Sequence, residues 1–345
     1  MDRKRVLILG LETSCDETAA AVVENGSRIL SNVISSQVEL HARFGGVVPE
    51  IASRRHLELI NSLIDEALET AGVGTSDLQA VAVSYGPGLV GALLVGVATA
   101  KALAYACRLP LVAVNHLEAH LYANFLVEGR PNPSLPAVGL IVSGGHTELV
   151  LLKRPGEYMP LGRTRDDAAG EAFDKVARAL GLGYPGGPAI DRLAARGNPD
   201  YFHFPRAFLD GESPYEFSFS GLKSAVINHL HQLRQKGEEI PLADLAASFQ
   251  SAVVEVLVEK TVAAAREHKV GSVFLSGGVA ANSSLRRVME ERIKTQLPGV
   301  KLYYPPPELC TDNAAMIVAA AYHHYRKGRF AALDLNAVPQ LPLNA

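Results

Sequence analysis

The chain has 345 residues, which at about 150 residues per domain indicates two domains rather than one. Hydrophobic residues make up 48% of it and charged residues 20%, and this balance excludes an intrinsically disordered chain. The net charge of −3 excludes a protein that holds nucleic acid by bulk positive charge alone. A nucleic-acid substrate would therefore need a local basic patch or a partner protein.

Three features of the sequence bear on where the protein resides. The apolar run near the N-terminus ends at Glu12 and is too short for a cleavable signal peptide. The uncharged stretch Leu78–Ala100 is long enough for a membrane helix, but Gly86-Pro87-Gly88 interrupts it, so we predict a strand, a turn and a helix and no membrane span. The cysteines form neither a C-x-x-C pair nor a disulfide framework, which predicts a cytoplasmic location; they are Cys15, Cys107 and Cys310.

Strand and helix patterns alternate through the first part of the chain. Strands are predicted at Val6–Leu11, Ala19–Glu24, Ala80–Ser84 and Leu111–Val114, and helices at Leu57–Ala71 and Leu89–Ala106. The first two strands form a hairpin, and its turn, Glu12–Thr18, is crowded with hydroxyl and carboxylate side chains.

The same order of elements begins again after a proline-rich loop, which contains Pro131, Pro133 and Pro136. Strands are predicted at Ala137–Val142, Thr147–Lys153 and Ser272–Leu275, and a helix at Ala281–Arg292. The repetition indicates either two similar α/β lobes whose turns face one cleft, or only the general likeness of βα units. We place an N-terminal lobe at 1–133, to which a helix at about 313–330 returns, and a C-terminal lobe at 134–310 with an insertion at about 154–242.

Two Ser-Gly-Gly turns follow predicted strands at matching places, Ser143-Gly144-Gly145 and Ser276-Gly277-Gly278. Glycine lets backbone N–H groups approach a phosphate with no Cβ in the way, and a helix that begins directly after the second turn would add its dipole. The alternative is a pair of plain tight turns. The P-loop and Rossmann glycine signatures are absent, which disfavours those two kinds of nucleotide site.

The segment NHLEAH places His116 and His120 four residues apart, so on a helix they share one face and could hold one metal ion. Asp312, in CTDNAAM, is the candidate third ligand, and two histidines with one carboxylate suit Fe²⁺ or Zn²⁺. The alternatives are two ordinary helical histidines and a helix cap at Asp312.

Other polar segments admit both a binding and a structural interpretation. Glu171 and Asp174 would share a helix face beside a glycine-rich loop, where they could hold ribose hydroxyls or a metal ion, or only favour a helix N-terminus. Asp191 in a following helix and Asn282 after the second Ser-Gly-Gly turn could bind a ligand or cap a helix. The segment His41–Glu58 carries basic side chains that could contact phosphates or form a solvated helix face.

Taken together, the motifs resemble one family, the tRNA adenosine threonylcarbamoyltransferases, long misannotated as O-sialoglycoprotein endopeptidases. The resemblance runs from residue 12 to residue 316, through the strings ETSCDET, FGGVVPEIASRRH, NHLEAH, SGGHTEL, DDAAGEAFDK, YPGGPAID, FSFSGLKSA, SGGVAAN and CTDNAAM. It implies an α/β chain with the duplicated two-lobed fold of actin, Hsp70 and sugar kinases. It also implies transfer of a threonylcarbamoyl group from threonylcarbamoyl-AMP to the exocyclic amine of adenosine 37 in tRNAs that read codons starting with A, with release of AMP.

The resemblance further implies the site residues and the partners. His116, His120 and Asp312 would bind one divalent metal ion per subunit, Fe²⁺ by the family's usual assignment or Zn²⁺. The adenylate would bind at Ile141, Val142, Ser143, Gly144, Gly145, Asp174, Gly187, Asp191 and Asn282. We nominate Glu12 as a carboxylate that helps accept the amine proton. In bacteria the family works with an inactive paralogue and a P-loop ATPase.

Three rival functions can be weighed against this resemblance. A kinase or ATPase of the same fold would not need the pair His116 and His120. A metallopeptidase of the older description would need H-E-x-x-H, which is absent. A scaffold that resembles the inactive paralogue would have no use for an intact set of metal ligands. All three are therefore less favoured than the transferase.

Overall fold

The computed structural model describes residues 5–127, 129, 133–207 and 213–344. The first four residues and Pro131 of the predicted proline-rich loop lie outside this part of the chain. The chain divides into two compact units: Met1–Asn132 together with Pro305–Ala345 forms the first, and Pro133–Tyr304 forms the second.

Each unit contains a five-stranded mixed sheet. The first sheet consists of β1 (Leu7–Glu12), β2 (Glu17–Glu24), β3 (Arg28–Ser36), β4 (Ala80–Gly86) and β5 (Leu111–Asn115). The second consists of β6 (Ala137–Val142), β7 (Thr147–Arg154), β8 (Glu157–Arg163), β9 (Ser272–Ser276) and β10 (Lys301–Tyr303).

The two sheets have the same topology. The first has the order β3-β2-β1-β4-β5, and the second, taken from its other edge, has the order β8-β7-β6-β9-β10. In each sheet the central strand is antiparallel to the next strand of the chain and parallel to a later one. The repeated order of elements in the sequence is therefore a duplication of architecture.

Eleven α-helices lie in the described part of the chain. They are α1 (Val38–Ala42), α2 (Pro49–Ala71), α3 (Val90–Cys107), α4 (His116–Tyr122), α5 (Ala169–Leu180), α6 (Gly186–Ala194), α7 (Ser220–Lys236), α8 (Leu242–Glu267), α9 (Ser283–Gln296), α10 (Pro307–Cys310) and α11 (Ala314–Arg326). Among these, α3 is long and apolar enough to cross a membrane, and one side of it packs against α2 and β4. The strand, turn and helix predicted for this stretch are present.

Burial explains why the central strands form where they do. Every residue of β1, β6 and β9 is buried, as expected for inner strands with both faces covered. Helix α11 lies directly on β1 because Gly10 has no side chain: a Cβ there would lie 2.5 Å from Val318 Cγ2 and 2.8 Å from the carbonyl oxygen of Ala314. This close packing fixes the segment just before α11, which carries Asp312.

Most predicted elements end within two residues of the observed ends, but three predictions were wrong. The helix predicted at Leu57–Ala71 begins at Pro49, because a proline fits the first helical position and starts the helix ahead of its apolar stripe. The helix predicted directly after the second Ser-Gly-Gly turn is preceded by a short 3-10 turn at Gly278–Ala281. The edge strands β3, β8 and β10 and the long helix α8 were missed; β8 lies inside the predicted insertion.

Candidate functional site

Three predicted metal ligands come together in the first unit. His116 and His120 lie one turn apart on α4, and Asp312 lies in the turn between α10 and α11. Asp312 Oδ1 is 3.5 Å from His116 Nε2 and 3.2 Å from His120 Nε2. One donor atom from each residue lies within 4.8 Å of the other two, a spacing that a single metal ion can bridge.

The donor set fits a metal ion. His120 is 1% exposed; its Nδ1 makes no hydrogen bond within the described part of the chain, and its Nε2 faces Asp312 Oδ1 at 3.2 Å. A buried imidazole with so few hydrogen bonds is costly unless something else occupies its lone pair. Two imidazoles and one carboxylate, with further positions open, form a ligand set typical of Fe²⁺ and Zn²⁺.

Asp312 is not the cap of the helix that follows it. Asn313 is the N-cap of α11, and its side-chain oxygen accepts a hydrogen bond of 3.0 Å from the backbone N–H of Met316. The cap interpretation of Asp312 was therefore wrong by one residue. The carboxylate is free to face the two histidines, which outweigh the effect of burial and hold its pKa well below the ordinary value.

Helix α4 also begins with an asparagine cap. The side-chain oxygen of Asn115 accepts hydrogen bonds from the backbone N–H groups of Leu117, at 2.9 Å, and Glu118, at 3.4 Å. The cap ends strand β5 and turns the chain into the helix, which places His116 at the first helical position.

Glu12 lies behind His116 rather than in open space. It is the last residue of β1 and is fully buried, and its Oε2 is 3.1 Å from His116 Nδ1. Its other oxygen accepts a hydrogen bond of 2.5 Å from the backbone N–H of Ser14, whose hydroxyl is also 3.1 Å from His116 Nδ1. A carboxylate on Nδ1 fixes the orientation of an imidazole whose Nε2 serves as a ligand. Sequence reasoning did not find this contact.

The carboxylates around His116 also shift its pKa. Burial alone would lower the pKa of His116, but Asp312 and Glu12 outweigh burial and raise that pKa well above its ordinary value. Two neighbours in the hairpin turn change in the direction expected for buried acids. Burial, reinforced by Asp16, raises the pKa of Cys15, and burial with Asp312 raises the pKa of Glu17.

The second unit brings the two Ser-Gly-Gly turns together. They follow β6 and β9, which are adjacent parallel strands in which Ile141 pairs with Ser276. Gly277 has φ 88° and lies so close to β6 that a Cβ there would be 2.4 Å from the carbonyl oxygen of Val142. The turns therefore share the carboxyl edge of one sheet, where α/β proteins commonly bind ligands.

Four glycines, three in these turns and one at the start of α6, have open space where a side chain would be. A Cβ built on any of them has no described atom within 4 Å, and none has a left-handed φ; they are Gly144, Gly145, Gly187 and Gly278. Neither backbone conformation nor packing within the chain requires glycine at these positions. A ligand that approaches the backbone closely would require it.

Hydrogen bonds bring the remaining predicted adenylate residues together in two pairs, Asp174 near Gly187 and Asp191 near Asn282. Asp174, on α5, accepts a hydrogen bond of 2.7 Å from the backbone N–H of Gly186, next to Gly187. Asp191 accepts hydrogen bonds of 3.0 Å and 2.9 Å from the backbone N–H and the hydroxyl of Ser283, which follows Asn282. Asp191 lies in the second turn of α6.

Two of the predicted adenylate residues, Asn282 and Ser143, also make hydrogen bonds that stabilise the fold. Asn282 is the N-cap of α9, where its oxygen accepts a hydrogen bond of 2.9 Å from the backbone N–H of Leu285. Its amide group donates to Gln250 at 2.8 Å. The backbone N–H of Gly170, at the start of α5, donates to the carbonyl of Ser143 at 3.1 Å and so ties that helix to the first Ser-Gly-Gly turn.

Asp166 and Asp167, the acidic pair before α5, connect this part of the chain to the start of α7. Asp166 accepts hydrogen bonds from the backbone N–H groups of Phe219 and Ser220 and from the hydroxyls of Ser218 and Ser220, at the start of α7. Asp167 accepts from Lys175 at 2.9 Å and Lys223 at 2.7 Å. Two segments of the sequence pattern, DDAAGEAFDK and FSFSGLKSA, therefore bind each other.

The basic segment His41–Glu58 is less available than the sequence suggested. His41 and His56 are fully buried, and His56 contacts the hydroxyl of Thr18 and the carbonyl of Cys15. The guanidinium groups of Arg54 and Arg55 pair with glutamates on the same helix, at 3.0 Å to Glu50 and 2.8 Å to Glu58. Arg54 and Arg55 therefore match the alternative interpretation, a solvated helix face, while His41 and His56 belong to the interior.

Solved structures define the fold class. HypF of T. kodakarensis matches this chain with a TM-score of 0.63 and 17% identity, covering 96% of this chain and 49% of that chain. Component A of the (R)-2-hydroxyglutaryl-CoA dehydratase from Acidaminococcus fermentans matches with a TM-score of 0.55 and 15% identity, covering 93% and 98%. With the two duplicated sheets, these matches define the actin-like ATPase fold that the resemblance implied.

Sequence comparison then gives the family. The profile described as tRNA N6-adenosine threonylcarbamoyltransferase matches residues 28–319. Relatives of that name from Moorella thermoacetica and Bacillus subtilis are 60% identical over 337 residues and 57% identical over 344. The first alignment covers 98% of this chain and 97% of the relative, and the second covers 100% and 98%. The chain belongs to this family of transferases that act on tRNA, and the resemblance drawn from the motifs is confirmed.

Proposed function

We propose that this chain transfers the threonylcarbamoyl group of threonylcarbamoyl-AMP to the exocyclic amine of adenosine 37 in tRNAs that read codons starting with A. The observation that carries the proposal is the convergence of His116, His120 and Asp312 in a chain of this family, since a same-fold kinase has no need of these ligands. The reaction forms a C–N bond to the carbamoyl carbon, breaks the C–O bond of the mixed anhydride, and releases AMP and the amine proton.

The chemistry needs no nucleophilic serine or cysteine, because the mixed anhydride is already activated and AMP is a good leaving group. What the reaction needs is orientation of a weakly nucleophilic amine and stabilisation of charge on the carbonyl and phosphate oxygens. We assign phosphate binding to the backbone of Ile141–Gly145 and to the open positions at Gly187 and Gly278. Asp174, Asp191 and Asn282 complete the proposed adenylate site.

His116, His120 and Asp312 would hold one divalent metal ion per subunit, and we propose Fe²⁺, with Zn²⁺ as the alternative. A metal ion bound there would act as a Lewis acid that polarises oxygen atoms of the substrate. Glu12 stays our nominee for a carboxylate that helps accept the amine proton. Its contact with His116 Nδ1 gives it a second proposed role, which is to hold that imidazole in place.

Partners complete the proposal. The net charge of −3 supports a chain that does not bind tRNA by bulk charge, and we expect an inactive paralogue and a P-loop ATPase to assist it, as in bacterial members of the family. A cytoplasmic location is proposed because tRNA is the substrate and because the cysteines are free: Cys15, Cys107 and Cys310.

Reconstitution tests the proposal. The purified chain, combined with the two partners, threonylcarbamoyl-AMP and an unmodified tRNA that reads an A-starting codon, is expected to form threonylcarbamoyladenosine and equimolar AMP. Nucleoside analysis by mass spectrometry measures the product. Phosphorylation of a small substrate from ATP by the chain, with no modified adenosine formed, would instead favour a same-fold kinase.

A further inference from the structure

Residues 331–343, which we call the strap, run along the first unit from β5 to the start of α4. Ala331 pairs with Leu111 of β5, and the carbonyl of Leu335 accepts a hydrogen bond of 3.0 Å from Lys101 on α3. The backbone N–H of Val338 donates to Tyr85 on β4 at 2.8 Å. Near the end of the strap, Leu341 and Leu343 are only 6% and 7% exposed. The strap is therefore anchored along its length rather than loosely attached.

The end of the strap contacts Asn115, the residue that caps helix α4. The side-chain amide of Asn115 donates to the carbonyl of Pro342 at 3.0 Å. The oxygen of the same amide accepts the hydrogen bonds that cap α4, directly before His116. Because one amide group makes both contacts, the position of Pro342 fixes the orientation of the cap.

A second connection runs from the strap to His116. The carbonyl of Pro339 accepts a hydrogen bond of 3.1 Å from the backbone N–H of Gly88, and the next residue, Leu89, donates to the carbonyl of Ser14 at 2.8 Å. The hydroxyl of Ser14 lies 3.1 Å from His116 Nδ1. Space is tight along this route, because a Cβ on Gly88 would lie 2.5 Å from the carbonyl oxygen of Ser14.

We propose that the strap is a positioning element for the metal centre. It sets the start of α4 through Asn115 and supports the nitrogen of His116 opposite the ligand position through Ser14. Groups that orient metal ligands commonly contribute about 10-fold to 100-fold to metal affinity. The inference rests on the proposed function, since it assumes that His116, His120 and Asp312 bind a metal ion.

Two variants of the full chain separate the strap contact from the helix cap. Asn115→Asp keeps a good capping oxygen but places a carboxylate against the carbonyl of Pro342. Truncation after Gln340 removes Pro342 and leaves the Asn115 cap in place. We expect each variant to bind Co²⁺ about tenfold more weakly than the parent chain, measured by absorbance titration of the metal-free protein. Combining the two changes should give no further loss, because both break one interaction.

Amide hydrogen exchange of the metal-free variants gives a readout that does not depend on metal. Because Pro342 no longer holds the capping side chain in place, the N–H groups of Leu117 and Glu118 should exchange faster in both variants. Asp65→Ala, at an exposed position of helix α2, should change neither exchange nor affinity. Parent-like Co²⁺ affinity and parent-like exchange in Asn115→Asp would overturn the proposal. If the parent chain itself binds no Co²⁺, the metal assignment of the proposed function fails, and the exchange of α4 still decides the role of the strap.

Discussion

At the scale of single residues, the proposed metal site depends on which nitrogen of each imidazole ring already has a partner. His116 contacts Glu12 and Ser14 through Nδ1, which leaves Nε2 directed to Asp312. His120 has no comparable hydrogen bond, so it relies on Asp312 alone among the described residues. The two histidines are therefore not equivalent. Removing the contacts of Glu12 and Ser14 with His116 Nδ1 should change metal affinity as well as local stability.

The Glu12→Gln substitution separates the two roles proposed for this carboxylate. The amide would direct an N–H group at His116 Nδ1, which favours the proton on Nε2 and opposes metal binding there. We expect Co²⁺ affinity to fall about 10-fold to 100-fold, together with turnover. Unchanged affinity with lost turnover would instead support proton acceptance by Glu12. Full turnover in this variant would exclude both roles.

Gly187→Ala tests the proposed adenylate site with little disturbance of the fold. A Cβ at residue 187 meets no described atom within 4 Å, and alanine in a helix is favoured over glycine by about 0.5–1 kcal/mol. Thermal unfolding should therefore be unchanged or slightly raised, while binding of AMP, measured by calorimetry, should weaken at least tenfold. The matched control is Gly74→Ala, whose Cβ would have only two atoms within 4 Å, both at 3.7 Å. Equal AMP affinity in parent and Gly187→Ala would contradict the assigned site.

Spacing in the sequence was enough to pair His116 with His120, because a helix places residues four apart on one face. The same reasoning could not show what supports them. Glu12 lies on β1, far from His116 in the sequence, and the contact with Pro342 is made by a backbone carbonyl, which no residue type reveals. Only the fold brings these two groups to helix α4. Asparagine directly before His116 was a readable cap signal that the motif analysis did not use.

At the scale of elements, the N-terminus of helix α7 is capped by the carboxylate of Asp166, a residue from an earlier segment of the chain. Asp166 accepts the hydrogen bonds that a side chain at the helix start would ordinarily accept. Burial alone would raise the pKa of Asp166, but hydrogen bonds from Ser218 and Ser220 outweigh it and hold that pKa below the ordinary value. The acidic pair therefore stabilises the junction between two segments of the second unit.

Asp166→Ala should reduce the free energy of unfolding by about 1–2 kcal/mol at neutral pH, in the range of a lost helix cap. Because the folded pKa lies below the unfolded value of about 4, the stabilising effect is present above pH 4 and disappears as pH falls through the folded pKa. Urea unfolding at several pH values should show parent and variant converging in acid. Asp65→Ala, at an exposed helix position, is the control, and a constant difference down to low pH would contradict this account.

Two of the three missed strands, β3 and β8, had weak signals for physical reasons. Strand β3 is an edge strand in which only Ser31 is buried, so its sequence lacks the alternation of a half-buried strand. Strand β8 is the other such edge and contains Pro160, which argues against a central strand and is tolerated at an edge. The inner strands, buried along their whole length, were predicted almost to the residue.

At the scale of the whole molecule, one architecture occurs twice with different polar residues in each copy. The first unit carries the proposed metal ligands at the helix after β5 and in the turn before α11, and the second carries two glycine turns after β6 and β9. The sequence showed the repeated order of elements but could not decide between duplication and ordinary βα units. The identical strand orders of the two sheets decide it.

The most direct test of the central claim is mass spectrometry of tRNA nucleosides from cells depleted of this protein. Threonylcarbamoyladenosine should disappear, return when the parent gene is restored, and stay absent with His116→Ala. The control is Asp65→Ala, at an exposed position of helix α2, which should restore the modification fully. Undiminished threonylcarbamoyladenosine in depleted cells, with no second gene supplying it, would contradict the transferase assignment.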